Sequence, residues 1–263
     1  GEKRFVLVPP SHHVALRLFP SVHPAHRSSQ LANVTEALRV DAASPAEPAL
    51  EVTLRPGEIL HIPAQWFHEV TTVSRAALSV NVWAEDVPWF QGLQVLNVAL
   101  PFTADFMDVQ QEESGDFWAQ DAEVATAKVQ IVRALIILVL QQSGIVEEGG
   151  PEEAMSTWVQ DTLLAPRYQP PTFDSAAAAA TPRVRRFCQE LEVVQGLGSL
   201  EGGMAIQFLL TAVREVMSIL DAVKSPLGAA RFELLIHNWI EHLLNDAFGA
   251  RHLYQAVYDL AHC

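Results

Sequence analysis

The chain has 263 residues, 49% of them hydrophobic and 18% charged, and a formal net charge of −14. This composition excludes a disordered tail, and the length suits one large domain or two modest ones with a real core. Residues 91–263 carry 10 basic and 22 acidic groups, against 7 and 9 in residues 1–90, so the broad basic surface of a DNA-binding protein is not expected.

The two cysteines and the most apolar run bear on the cellular compartment and on membrane contact. Cys188 and Cys263 allow at most one disulfide, which disfavours a thiolate zinc site and favours a reducing compartment, the cytoplasm or the nucleus. Neither cysteine lies in a signature typical of a catalytic nucleophile. The apolar run at residues 129–140 is shorter than the ~20 residues of a membrane span and contains Arg133, so it predicts a buried helix and no membrane contact.

Residues 1–85 predict strands and turns. Five β-rich runs separated by turn residues are typical of an all-β barrel or sandwich: KRFVLVPP, ALEVTLRPG, EILHIP, HEVTTVS and ALSVNVW. The polar stretch between the first two runs is too long for a tight hairpin, and loops of that size are often functional.

From about Val87 the pattern becomes helical. Five segments place apolar residues at steps of three and four: DFWAQDAEVATAKVQIVRALIILVLQQS, PEEAMSTWVQDTLL, TPRVRRFCQELEVVQ, MAIQFLLTAVREVMSILDAV and LGAARFELLIHNWIEHLLNDAF. Thr181 and Pro182 suit an N-cap and a first helical position. Strands followed by helices predict an α+β fold, with a β domain at residues 1–90 and a helical region at residues 91–263 that could dimerise or bind partners.

Six of the ten histidines fall within the first 68 residues. Four lie in predicted loops, where a solvated or hydrogen-bonded role is expected: His12, His13, His23 and His26. His68 differs because it opens a strand, where alternation turns His68, Val70 and Thr72 to one face. From the residues alone, a satisfied core or rim histidine is the more common outcome for such a position.

Several ordered motifs together carry a resemblance to a known family. The stretches GEKRFVLVPP, LFPSVHPAHRSSQ, PGEILHIPAQWFHEV and ALSVNVW resemble the second half of a JmjC domain of the cupin-like kind, over about residues 1–90. Within that family they are most similar to the asparaginyl hydroxylase that inhibits the hypoxia-inducible factor. The resemblance implies the C-terminal part of a double-stranded β-helix, or jelly roll, and oxidation of a substrate C–H bond by iron(II), dioxygen and 2-oxoglutarate.

The resemblance also implies roles for four residues. His68 matches the distal iron-binding histidine, and Lys3 matches the lysine that pairs with the far carboxylate of 2-oxoglutarate. Asn81 and Trp83 match residues that line the co-substrate pocket. A lysine directed into a barrel is costly to bury unless an anion meets it, and a buried asparagine needs hydrogen-bond partners. Without the resemblance, a rim lysine and an asparagine bonded to a neighbouring strand remain open.

The family's first ligand pair is missing from this sequence. None of the ten histidines has an acidic residue two positions later, and the adjacent His68 and Glu69 would point to opposite faces of a strand. The chain also opens without a methionine, which predicts a start within a domain. We therefore expect this chain to be a fragment that lacks the upstream His-x-Asp/Glu ligands and is inactive by itself. The parent protein is expected to be a hydroxylase that acts on a protein side chain or, as a weaker alternative, on a modified RNA base.

Two other functions remain open. The chain could be a catalytically inactive JmjC-like scaffold whose helices bind partners or dimerise. It could also belong to a different cupin enzyme, such as a sugar isomerase, but that reading needs further ligand histidines on the strands, and His61 is the one other candidate there.

Overall fold

A computed structural model describes residues 1–26, 28–31, 48–100, 122–147, 152–168, 203–249 and 253–262. Its strands are β1 (Lys3–Val8), β2 (Leu50–Leu54) and β3 (Phe67–Thr72), which form one antiparallel sheet in the order β2-β1-β3. Strand β1 is central, which suits its run of aromatic and β-branched residues, and Pro9 and Pro10 end it because proline cannot continue a central ladder.

The register decides which side chains share a face of the sheet. Lys3 lies opposite Thr72, and Leu7 lies opposite His68. Residues directly opposite one another in an antiparallel pair point the same way, so one face carries alternate residues of β1 and β3. We call it the Lys3 face; its members on these two strands are Lys3, Phe5, Leu7, His68, Val70 and Thr72.

The opposite face of the sheet packs on the helices. Val6 and Val8 are buried in one hydrophobic core that also contains Leu16, Leu18 and many helical residues. The Lys3 face is therefore turned away from the helical layer, which is the side that a barrel interior would occupy in the predicted fold.

Two of the five predicted strands are wrong. Residues 58–63 and 76–86 contain no assigned strand, and Ile59, Leu78 and Val80 are exposed. A strand forms only where a neighbour accepts and donates its backbone hydrogen bonds, and the described residues offer no partner to these segments beyond the edges β2 and β3. The three observed strands do not close, so a double-stranded β-helix is not confirmed.

The helical prediction holds in the residues described. The helices are α1 (Val87–Gly92), α2 (Ala122–Gln142), α3 (Glu152–Val159), α4 (Ala165–Arg167), α5 (Gly203–Leu227), α6 (Ala229–Phe248) and α7 (Leu253–His262). The apolar run at residues 129–140 lies in α2 with Ile136, Val139 and Leu140 fully buried, as predicted. Thr181, Pro182, Cys188 and Cys263, with the helix predicted from Thr181, lie outside the described residues.

Strands and helices in one chain fit the predicted α+β class, and the boundary at residue 90 stays a prediction. Within the part of the chain described, no helix combines the length and the apolar character needed to cross a membrane.

Helices α3 and α4 are joined by a π-helical turn, Gln160–Leu164. Pro166, near the start of α4, has no N–H to donate to the carbonyl of Thr162, so the regular α-helical ladder is interrupted there. Such π turns are frequent at functional sites, and this one carries Thr162 toward α6.

Buried polar contacts fix the loop after β1 to the helices. The Glu241 carboxylate of α6, which is 0% exposed, accepts bonds from the Arg167 guanidinium at 2.8 Å, the Tyr168 hydroxyl at 3.0 Å and the backbone N–H of Ser21 at 2.6 Å. Gln30 adds a bond from its amide Nε2 to the carbonyl of Arg167 at 2.7 Å. Residues from the first third of the chain thus complete a charged cluster inside the helical part.

Candidate functional site

The Lys3 face holds two of the four predicted site residues. Lys3 and His68 both lie on it, four residues apart along the paired strands, which is ~13 Å at the usual rise per residue. Lys3 is half-buried, and its ammonium donates a hydrogen bond to the Ser79 hydroxyl at 2.6 Å. The imidazole of His68 is exposed at the start of β3.

Asn81 and Trp83 lie in the segment that Ser79 attaches to Lys3. They follow Ser79 by two and four residues, in a stretch without assigned strand, and both are exposed, Trp83 to 81%. Among the described residues, no hydrogen bond joins either of them to His68 or Lys3. The structure therefore brings Lys3 to the start of this segment, and the pocket roles of Asn81 and Trp83 stay predictions.

Iron(II) would need more ligands than the Lys3 face supplies in the described residues. His68 does not belong to any cluster of three candidate metal-ligating side chains within the part of the chain described. A single histidine does not make the facial set of two histidines and one carboxylate that non-haem iron uses. The fit is therefore partial: the described residues offer one ligand, His68, and one cation, Lys3, for a carboxylate.

A different group of three ligand residues is assembled between the first loop and α6. His13 follows the short 3-10 helix Pro10–His12, and Glu233 and His237 are one turn apart on α6, so they share a helix face. One ligand atom from each lies within 4.8 Å of the others. His13 is 3% exposed, His237 is 0% exposed, and Glu233 is half-buried.

Hydrogen bonds define which ring nitrogens carry a proton. His13 Nδ1 lies 3.0 Å from the carbonyl oxygen of Pro10, which can only accept, so Nδ1 carries the proton and Nε2 a lone pair. The Thr162 hydroxyl donates to the carbonyl of Trp158 at 2.7 Å, so it accepts from His237 Nε2 at 3.0 Å and leaves the lone pair on His237 Nδ1. His13 Nε2 and His237 Nδ1 are both buried without a hydrogen-bond partner.

Burial keeps both imidazoles neutral. Desolvation, with a smaller contribution from the charge of Arg167, lowers the pKa of His13 to about 4 and the pKa of His237 well below its usual value. Desolvation also raises the pKa of Glu233, although a hydrogen bond from Trp158 works in the opposite direction. The cluster therefore presents two neutral nitrogens and one carboxyl group.

The sequence analysis missed this cluster. For His13 we expected a solvated or hydrogen-bonded loop histidine; it is hydrogen-bonded, yet it is also buried and meets two residues of α6. The sequence feature that could have indicated the cluster is the four-residue spacing of Glu233 and His237 on an amphipathic helix. The same spacing recurs in metal-binding helices. The expectation is confirmed for His23, which accepts from the N–H of Ala25, and for His26, which bonds the carbonyl of His23.

The class of the first third follows from its match to a known family. Residues 1–88 match the model of the cupin-like domain family, which is the JmjC-type resemblance predicted above. A cupin-like domain region therefore occupies about one third of the chain. The helical remainder is outside that match.

Relatives with curated descriptions match a similar share of the chain. The tRNA wybutosine-synthesizing protein 4 of Gibberella zeae is 34% identical over 87 residues, which are 33% of this chain and 8% of that protein. The HSPB1-associated protein 1 homolog of Danio rerio is 36% identical over 89 residues, 32% of this chain and 19% of that protein. The chain thus spans less than a fifth of the length of these relatives.

These matches support the cupin-like family and do not single out the asparaginyl hydroxylase, which the motifs had indicated as the most similar member. No solved structure matches the chain significantly.

Proposed function

We propose that residues 1–88 form part of the catalytic site of an iron(II)- and 2-oxoglutarate-dependent dioxygenase of the JmjC type, a hydroxylase. In this proposal His68 is an iron ligand, Lys3 anchors the co-substrate, and Asn81 and Trp83 line the pocket. The observation that carries it is the register that turns Lys3 and His68 to one face of the sheet, away from the helical core.

Lys3 supports the proposal through its environment. Its half-buried ammonium is bonded to a neutral hydroxyl, that of Ser79, on a face whose neighbouring β1 residues Phe5 and Leu7 are buried and apolar. A cation in such a place gains most from an anion that can reach it. The far carboxylate of 2-oxoglutarate has the charge and the size to do so.

His68 contributes a nitrogen lone pair at the other end of the same face. Bound iron(II) would activate dioxygen, which is the oxidant for hydroxylation, while 2-oxoglutarate would supply two electrons on conversion to succinate and carbon dioxide. The two further ligands of the metal would come from residues other than those described. The role of this chain's own residues is then to hold the oxoacid at Lys3 and one side of the metal at His68.

A protein or peptide side chain is the proposed substrate. The net charge of −14 disfavours a nucleic acid, because phosphate backbones are repelled by an acidic surface. The name of the Gibberella zeae relative keeps a tRNA base as the alternative substrate. Acceptance of either a peptide or a tRNA by the full-length protein would decide between them.

A non-enzymatic scaffold is the second candidate function. It is favoured because, in the part of the chain that the structure describes, His68 joins no other metal-ligating side chains, and one histidine holds iron weakly. In that case the helices α2 to α7 would dimerise or bind partner proteins. Turnover separates the two functions, because a scaffold converts no 2-oxoglutarate.

The test is release of succinate from 2-oxoglutarate by the full-length protein with iron(II) and oxygen. We expect Lys3→Ala to raise the KM for 2-oxoglutarate by about 10- to 150-fold, which corresponds to the ~1.5–3 kcal/mol of a hydrogen bond to a charged group. Arg4→Ala is the matched control, because Arg4 is the next residue on β1, lies on the opposite face and pairs with Glu51 at 2.7 Å. An equal KM in the Lys3 and Arg4 variants would contradict the anchor role, and no succinate from the wild type would favour the scaffold.

A further inference from the structure

The His13–Glu233–His237 cluster contains lone pairs that face no donor. His13 Nε2 and His237 Nδ1 are acceptors in the tautomers that their partners impose, and both are buried and unbonded. The two rings are close, with centroids 5.1 Å apart. Two acceptors cannot satisfy each other, and leaving buried acceptors unpaired is costly, so the arrangement calls for a positively polarised group between them.

We propose that His13, Glu233 and His237 bind a divalent transition-metal ion, and that zinc is the ion that fits best. The site is separate from the Lys3 face and does not depend on the proposed oxygenase function. Its three ligands come from the loop that follows β1 and from one face of α6.

The donor set selects the class of ion. Neutral imidazole nitrogens with one carboxylate suit zinc and its first-row neighbours, whereas calcium and magnesium prefer sites made of oxygen atoms. Zinc with ligands at ~2.0–2.2 Å needs donor atoms ~3.4 Å apart, so the present limit of 4.8 Å requires a modest contraction. Glu233 is half-buried and can rotate inward, and water can complete a tetrahedron.

Hydrogen bonds to neighbouring groups already orient the ligand side chains. The Pro10 carbonyl holds His13, the Thr162 hydroxyl of the π turn holds His237, and Trp158 donates to Glu233. Such outer partners fix the tautomers of metal-binding histidines. The nearby positive charge of Arg167 would oppose a cation, but Arg167 is paired with Glu241 at 2.8 Å, which offsets it.

The expected consequence of binding is mechanical coupling of two parts of the chain. Metal bound by His13 and by α6 would attach the cupin-like region to the helical core at a point close to the Glu241 cluster. Because the folded state would bind zinc and the unfolded chain would not hold the site, zinc should stabilise the fold.

The experiment measures zinc binding by the chain after removal of metal with a chelator. We expect one zinc per chain by elemental analysis, and a melting temperature that rises by about 5–10 °C when zinc exceeds its Kd a hundredfold. Glu233→Gln, which preserves side-chain shape, and His237→Ala should each weaken binding by at least ~100-fold, beyond the loss that an outer partner causes. Cobalt(II), as a coloured substitute, should show the same losses.

Two controls separate this site from other histidines. His242→Ala removes a histidine on the same helix outside the cluster, and His68→Ala removes the proposed iron ligand; both variants should keep the zinc. Should His237→Ala fail to fold, zinc binding by Glu233→Gln tests the proposal alone, because Glu233 is half-buried and its substitution disturbs the core less. Absence of zinc uptake by the folded wild type, or equal affinity in wild type and Glu233→Gln, would overturn the proposal.

Discussion

The surroundings of Lys3, His68 and His13 differ in how far the sequence could predict them. Alternation within each strand groups Lys3 with Leu7 and His68 with Thr72, and that much could be predicted from KRFVLV and HEVTT. The register between the strands, which turns both groups to one face, could not be predicted from those two segments. His13 could not be placed in the same way, because its burial depends on α6, more than 200 residues later. Periodicity reports which face a side chain joins, but it does not report which distant element covers a loop.

Tyr168 gives a prediction at this scale. Burial, reinforced by the Glu241 carboxylate, raises the pKa of its hydroxyl far above the usual value near 10. The unfolded chain releases this proton above pH 10 while the folded chain keeps it, so the stabilisation is complete below pH 10 and falls as the pH rises. The slope for one proton is ~1.4 kcal/mol per pH unit.

Urea unfolding at pH 9, 10 and 11 measures this slope. We expect Tyr168→Phe to remove one proton's share of the alkaline loss of stability. Identical slopes in wild type and Tyr168→Phe would show that Tyr168 ionises normally in the folded protein.

At the scale of elements, helices were predicted better than strands. The apolar steps of α2, α5 and α6 are local properties of their own segments, so the pattern was sufficient. Strand formation needs a partner, and residues 58–63 and 76–86 have apolar, β-branched sequences without a neighbouring strand in the described residues. The π turn was not predicted either, although Pro166 marks the position where the ladder breaks.

The contact between the first loop and α6 should depend on Glu241. Glu241→Ala leaves the guanidinium of Arg167, which is 2% exposed, without its anion, and removal of one partner of a buried pair typically costs about 3–5 kcal/mol. Urea unfolding should show a loss of this order. Asp246→Ala, at an exposed acidic residue of the same helix, is the control, with a change within ~0.5 kcal/mol. If Glu241→Ala and Asp246→Ala lowered the free energy of unfolding equally, the Arg167–Glu241 pair would contribute nothing to stability.

For the whole molecule, the sequence predicted the class better than the architecture. Four ordered motifs were sufficient to predict the cupin-like region, which the family match at residues 1–88 confirms, and the order of strands and helices predicted the α+β class. Neither showed that the sheet would have three strands and stay open within the described residues, or that one hydrophobic core would join β1 to the helices. Those features depend on which surfaces meet in three dimensions.

The most direct test of the proposed oxygenase is the effect of His68 on turnover. Succinate release by the full-length protein, with iron(II) and 2-oxoglutarate saturating, should fall to background in His68→Ala, because the metal loses a ligand. It should remain near the wild-type rate in His61→Ala, which removes an exposed histidine seven residues earlier. Undiminished succinate release by His68→Ala would contradict the account.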